Sequence, residues 1–141
     1  MKKLLISGML QVLFAMQFVQ AATICDAKVG LAEARLNLML MVMSMDKAEQ
    51  NELKVEVDAA SLVLETAMTA MLDDENKTDD AKLTDLQDTW AKFKKTRETK
   101  IIPAVKAGNN AKAVEIATGV QSERMNTMND LIQALNGDNC N

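Results

Sequence analysis

The sequence predicts an all-α fold, an antiparallel up-down-up-down four-helix bundle, on three observations. The 141 residues include one Pro, five Gly and no Tyr, with too few turn formers and too little alternating β-branched pattern for a sheet protein. Four separate stretches repeat their apolar residues at alternating steps of three and four, the period of a helix with one buried face. The clearest of them carries the only Trp, in the series Leu83, Leu86, Trp90, Phe93 and Arg97. That is the narrow seam of a helix packed in a bundle, and short connections between four such helices give the antiparallel order.

Residues 1–21 read as a signal peptide and residues 22–141 as the bundle. Lys2 and Lys3 precede an apolar run from Leu4 to Val19, and Val19-Gln20-Ala21 suits a signal peptidase, which places cleavage after Ala21. The alternative is an uncleaved inner-membrane anchor. Against it, the run is shorter than the roughly 20 residues a span needs and contains Gln11 and Gln17. Cys25 as a lipidation site is discounted, because Ile24 before it is too large. The expected location is therefore the periplasm.

Helix 1 is expected over Ile24 to Met45, with Ile24, Ala27, Leu31, Ala34, Leu38, Met41 and Met45 on its seam. Asp46 with Glu49 three residues on forms a capping box that starts helix 2, whose seam is Leu53, Val57, Ala60, Leu64, Ala67 and Met71. The run Asp73 to Asp80 has no apolar residue and reads as a solvated loop, with Thr78 or Asn76 capping helix 3. Helix 3 extends from Leu83 towards Gly108, which suits a left-handed C-terminal residue, and Pro103 is expected to kink its last turns. Helix 4 begins at Asn109 or Asn110, with the seam Val114, Ala117, Gln121, Arg124, Met128, Leu131 and Leu135, and ends at Gly137-Asp138.

Composition removes several function classes. The chain has no His, which excludes His-ligated haem, most zinc and copper sites and a His general base. The net charge is −4 and becomes −6 once Lys2 and Lys3 are removed; an acidic domain does not suit nucleic acid, whose phosphates need a basic face. There is no Gly-rich phosphate loop, and carboxylates such as Asp79, Asp80, Asp85 and Asp88 have the spacing of a solvated face. No catalytic constellation emerges and no cofactor is implied, so the chain reads as a non-enzyme. Cys25 and Cys140, the only cysteines, fall at the same end of a four-helix bundle, as a disulfide requires.

The seam of helix 3 meets an arginine where a hydrophobe is expected. Counted from the turns near Asp46 and Gly108, Arg35 and Arg97 are each eleven residues deep, about 16 Å at 1.5 Å per residue, and Arg124 on the returning helix lies about a turn deeper. These are all the arginines in the chain. On one reading, nearby acids (Glu33, Glu56, Asp58 and Glu123) neutralise them and fix the bundle register. On the other, Arg35, Arg97 and Arg124 converge on a small carboxylate held bidentately, with Gln121 adding an amide and Trp90 and Phe93 walling the pocket. The methionines offer a different class. Met39, Met41, Met43 and Met45 alternate, and Met68 with Met71 and Met125 with Met128 share faces. Thioethers bind Cu(I), yet on a helix the alternating four spread around the cylinder, and Met is the usual filler of irregular cores.

The string Trp90-x-x-Phe93-x-x-x-Arg97, followed by Ile102-Pro103-Ala104, Gly108, Ala113 and Ile116-Ala117, resembles the four-helix-bundle sensor domains of bacterial methyl-accepting chemotaxis receptors, over most of residues 24 to 136. The resemblance implies a periplasmic domain that often pairs through helix 1 and binds small organic acids or amino acids between helices through arginines, with Arg97 matching a helix-3 ligand arginine and Arg35 a helix-1 arginine by height. It also implies a signalling context, through a homodimer or a membrane receptor partner. The terminal Cys pair and the end of the sequence at Asn141 depart from that pattern. The expected function is thus an exported bundle that senses a small anionic ligand, with a Met-rich Cu(I)-handling bundle or a structural interaction bundle as alternatives.

Overall fold

A computed structural model describes residues 23–77 and 79–140. Their main elements are α1 (Ile24–Met43), α2 (Lys47–Asp73), α3 (Asp80–Thr96), a π-helical turn (Arg97–Ile101), α4 (Ile102–Lys106), α5 (Asn110–Thr118) and α6 (Val120–Ala134), followed by a 3-10 turn (Gly137–Asn139). The third bundle helix is α3 continued through the π turn into α4, and the fourth is α5 and α6 joined at Gly119. The result is the expected antiparallel four-helix bundle. No helix among the described residues is long and apolar enough to cross a membrane. The signal-peptide reading and the Thr78 cap fall outside the described residues.

The predicted seams of α1 and α2 form the core. Ala27, Leu31, Ala34, Leu38 and Met41 are buried against Val57, Ala60, Leu64 and Ala67. Gly30 permits the closeness of this pair. A Cβ there would lie 2.7 Å from the Leu64 backbone nitrogen and 2.9 Å from the Ala60 carbonyl oxygen, nearer than real side-chain carbons come.

The helix ends differ in detail from expectation. The reciprocal capping box is at α1, where the Thr23 hydroxyl accepts from the Cys25 backbone N–H and the Asp26 carboxylate accepts from the Thr23 backbone N–H at 2.7 Å. At α2, Asp46 does cap, accepting from Ala48 and Glu49, but Glu49 accepts from the Ser44 hydroxyl instead of closing the box. Helix α1 stops at Met43, so Met45 leaves the seam and lies exposed in the turn. Asn110 replaces the missing helical donors there, giving Nδ2 to the carbonyls of Val42 and Ser44 at 2.9 and 2.8 Å. The N-cap of α3 is Asp79, not Asn76. Gly108, at φ 75°, is the left-handed residue that closes α4.

Two interruptions shape the other half. Pro103 has no N–H and crowds the carbonyl four residues before it. The chain answers with a π turn over Arg97–Ile101, in which Ile102 N–H donates to the Arg97 carbonyl, so Pro103 falls in the first turn of α4. In the fourth helix, Gly119 leaves helical geometry (ψ −112°) and divides α5 from α6. The inner face of α6 is Gln121, Met125, Met128 and Ile132, so Arg124, expected on the seam, stands at its edge and Met125 takes the inner place.

Cys25 and Cys140 are joined as a disulfide with Cα atoms 5.4 Å apart. The bond ties the start of α1 to the turn after α6. Beside it, Lys28 Nζ donates to the Gly137 carbonyl at 2.8 Å.

Candidate functional site

Arg97 projects from the π turn into the bundle and is 1% exposed. Its aliphatic stem and guanidinium replace a core hydrophobe, while the charged head finds acceptors on α2 and on its own turn. Nη1 donates to Ser61 Oγ at 2.7 Å, Nε donates to Glu98 Oε1 at 2.8 Å, and Asp58 lies 3.9 Å from Nη2. The Ser61 hydroxyl in turn donates to the Val57 carbonyl at 2.6 Å. The guanidinium carbon is 5.6 Å from the Trp90 ring centroid, a cation–π distance. Trp90 stacks on Phe93 with centroids 5.4 Å apart, and its indole N–H donates to Glu65 at 2.8 Å, an oxygen shared with Lys94 at 2.6 Å. Trp90 and Phe93 are thus core side chains beneath the Arg97 guanidinium.

The second arginine group joins α3 to α6. Gln121 is fully buried; its Nε2 donates to the Phe93 carbonyl at 2.9 Å and its Oε1 accepts from Arg124 Nη1 at 2.8 Å. The same Nη1 also donates to Thr96 Oγ1 at 2.7 Å and the Lys92 carbonyl at 3.1 Å. All these acceptors are neutral. Among the described residues no carboxylate lies within salt-bridge distance of Arg124.

Arg35 is half-buried and different again. Its Nη1 is buried with no hydrogen-bond partner, and burial pushes its pKa below the usual arginine value. Its height follows from its neighbours at seven-residue intervals on α1. Lys28 reaches the Gly137 carbonyl beyond α6, and the Val42 carbonyl accepts from Asn110 at the start of α5, which fixes the heights of the two ends of α1 against α5 and α6. Arg35 is midway between Lys28 and Val42, and residues 123–124 are midway between Gly137 and Asn110. By height Arg35 is therefore level with the first turns of α6, the region of Gln121 and Arg124.

Internal neutralisation accounts for one arginine of the three. Glu98, which adjoins Arg97 in sequence, and Asp58 serve Arg97. Glu33, Glu56 and Glu123 are exposed and make no ion pair with an arginine. Sequence reasoning missed Ser61, Thr96 and Glu98 as partners. Ser61 was detectable as a polar residue beside Ala60 on the buried face of α2. The methionines divide by depth, with Met41, Met68, Met125 and Met128 in the core and Met43 and Met45 67% and 79% exposed.

A family model described as a four-helix-bundle sensory module for signal transduction matches residues 6–139. No curated protein and no solved structure matches the chain. Among the described residues the match takes in α1 to α6, the interrupted third and fourth bundle helices and the three arginines. The chain belongs to the family of four-helix-bundle sensory modules for signal transduction found in chemotaxis receptors.

Proposed function

We propose that this sensory module works outside the cytoplasm, as residues 22–141 released by cleavage after Ala21, and binds a small carboxylate between α1, the π turn and α6. The observation that carries the ligand is Arg35 Nη1, a buried cationic N–H without an acceptor. Leaving such a donor unmade costs more than an ordinary hydrogen bond returns, and a carboxylate supplies the missing acceptor with its charge. Arg124 supports the same reading: its three hydrogen bonds all leave from Nη1 and end on neutral oxygens. Arg97 supplies the charge at the floor of the site, with Gln121 orienting Arg124 and the Trp90–Phe93 stack closing the base. No catalytic role is assigned.

A thermal-shift screen of dicarboxylates, amino acids and aromatic acids tests the site. A ligand at a hundred times its dissociation constant stabilises by about 2.7 kcal/mol. The expected result is a rise in Tm with one class of acid, lost in Arg35→Met. No rise with any anion would leave the polar layer as a device of register only.

We further propose that two copies pair through α1, whose outer face exposes Val29 (52%), Leu36 (58%), Leu40 (45%) and Met43 (67%). A second reading of the N-terminus is an uncleaved anchor, favoured by the family match beginning at residue 6, inside the apolar run. The mass of the exported protein separates the two, since cleavage after Ala21 leaves Ala22 as the first residue.

A further inference from the structure

The two ends of the bundle core are closed differently. At the end of the α1–α2 turn, Met41, Val42, Ile102 and Val105 are 5% exposed or less, and the turn beside them is locked by Asn110 and Gln50, which donate to the Val42 and Ser44 carbonyls. The cavity there is about 90 Å³. At the disulfide end the outermost core layer is Ile24 on α1, Met71 on α2, Leu83 on α3 and Leu135 after α6. Ile24, Met71 and Leu135 are only partly buried, and the four side chains line a cavity of about 250 Å³. That is just below the range of about 300–1,000 Å³ that holds drug-sized ligands, and it suits a molecule with one ring or a short branched chain. The Met71 thioether favours a ring, since sulfur makes favourable contacts with aromatic edges.

The rim of this cavity selects by charge. Asp74 is the C-cap of α2 and Asp79 the N-cap of α3, and both line the cavity with Lys77. Lys77 is already engaged, donating to the Leu72 carbonyl at 2.6 Å and lying 3.5 Å from Asp80, and Asp79 accepts from Lys82 at 2.7 Å. Asp74 is not neutralised. Its Oδ1 accepts from the Asn76 backbone N–H at 2.8 Å, and among the described residues no cation lies within salt-bridge distance of it. Helices α2 and α6 both end at this cavity, and neither has a basic residue in its last turn, so the partial negative charge of their C-termini adds to that of Asp74. The surrounding residues 23–32, 66–89 and 126–140 carry ten Asp and Glu against Lys28, Lys77 and Lys82. This field repels an organic anion and attracts a cation, and an apolar body on that cation covers side chains otherwise left to water.

We propose that the cavity at the disulfide end binds a small organic ammonium with an aromatic or branched apolar body. Its charge lies at Asp74 and the ends of α2 and α6, and its body on Ile24, Met71, Leu83 and Leu135. The site is separate from the arginine layer, since Arg35 is eleven residues along α1 from Ile24, about 16 Å at 1.5 Å per residue.

NMR of the exported full chain carrying methyl-labelled methionine tests it, with 2-phenylethylammonium chloride as the probe. The Met71 methyl, identified by its loss in Met71→Leu, should shift on titration to millimolar concentrations, while the methyls of Met43 and Met45 at the opposite end stay in place. The uncharged 2-phenylethanol should bind about three-fold more weakly or worse, the scale of an exposed ion pair, and phenylacetate should leave Met71 unmoved. Asp74→Asn keeps an acceptor for the Asn76 N–H, and should weaken the ammonium by the same factor while leaving the alcohol unchanged. Arg35→Met, which removes the carboxylate site proposed above, should leave the ammonium response intact, so that failure of one site is read separately from failure of the other.

Equal binding of the alcohol and the ammonium, or an ammonium affinity indifferent to Asp74→Asn, overturns the selection for a cation. A Met71 methyl that shifts with phenylacetate overturns it as well. An ammonium that leaves Met71 unshifted, or whose effect disappears in Arg35→Met, overturns the site itself.

Discussion

Replacing Arg97 by Met separates what its charge does from what its bulk does. Arg97→Met keeps an unbranched apolar stem in a site that is 1% exposed and removes two charge-assisted hydrogen bonds, to Ser61 and to Glu98. A hydrogen bond with one charged partner contributes about 1.5–3 kcal/mol. The stranded partners recover most of that. The Glu98 and Asp58 side chains are 38% and 54% exposed and can rehydrate, and the Ser61 hydroxyl keeps its donation to the Val57 carbonyl. Removing a buried charge also removes its desolvation cost. The net loss for Arg97→Met should therefore be about 1–2 kcal/mol, below the range of about 3–5 kcal/mol seen when breaking a pair leaves a fully buried charge. Arg97→Ala adds the cavity over Trp90, and by analogy with large-to-small core changes should cost about 3–4 kcal/mol. In a domain of this size a kcal/mol shifts Tm by about 3–6 °C. Thermal unfolding by circular dichroism should thus place Arg97→Met nearer to the unmodified protein than to Arg97→Ala. If the two substitutions cost the same, the ion pair and not the packing holds this layer, and Arg97 would then be structural and no part of a wet anion site.

Three further perturbations test the same geometry. Gly30→Ala should lower Tm by several degrees in a thermal melt, since backbone atoms of α2 would have to retreat from the new methyl and overpacking of about 1–3 kcal/mol exceeds the helix-propensity gain of about 1 kcal/mol; a rise in Tm would show that the α1–α2 spacing is not set there. Replacing Cys25 and Cys140 together by Ser releases a loop spanning 115 residues, and chemical denaturation should show a loss of up to about 4–5 kcal/mol, with an unchanged midpoint counting against the bond's role as a staple. Arg35→Met should raise the Tm of the ligand-free protein. Because burial lowers the Arg35 pKa, the folded state disfavours its charged form. That penalty is present in full below the folded pKa and is relieved only as pH rises through it, so the gain from Arg35→Met should be the same at pH 6 and pH 8; a gain that vanished at pH 8 would contradict a charge buried at both.

The parts of the bundle legible in the sequence are those set by local periodicity. Leu31, Leu38, Val57 and Leu64 repeat every seven residues on uninterrupted helices, and each is in the core. Where the chain departs from one helix, the same pattern misleads. Pro103 announced a disturbance but not its form. A kink and a π turn both relieve the clash, and the local pattern does not choose between them. Between the buried Gln121 and Met128, steps of three and four admit either Arg124 or Met125 on the seam, and it is Met125 that is buried and Arg124 that stands at the edge. The heights of the arginines along the bundle could be counted from the sequence. Their partners could not be read there, because Ser61, Thr96 and the Lys92 carbonyl reach them across helices.

The placement of the arginines on interrupted and continuous helices bears on how a bound anion could act. A ligand shifts a protein between arrangements only through contacts that differ between them. Arg97 lies inside the π turn and Arg124 five residues beyond Gly119, the two places where the regular helical ladder is broken and movement costs fewest hydrogen bonds. Arg35 lies on α1, which is continuous from Ile24 to Met43 and tied at its start to Cys140. An anion drawing Arg124 towards Arg35 therefore pulls a yielding segment against a stiff one, and the displacement is taken up in α5 and α6. The outer face of α1, where Leu36 directly succeeds Arg35 in sequence, keeps its shape. Ligand binding in this arrangement should stabilise the bundle while leaving the α1 pairing constant nearly unchanged, which sedimentation with and without the stabilising acid would read directly; a several-fold change in dimer affinity on binding would show that the stress passes through α1 instead.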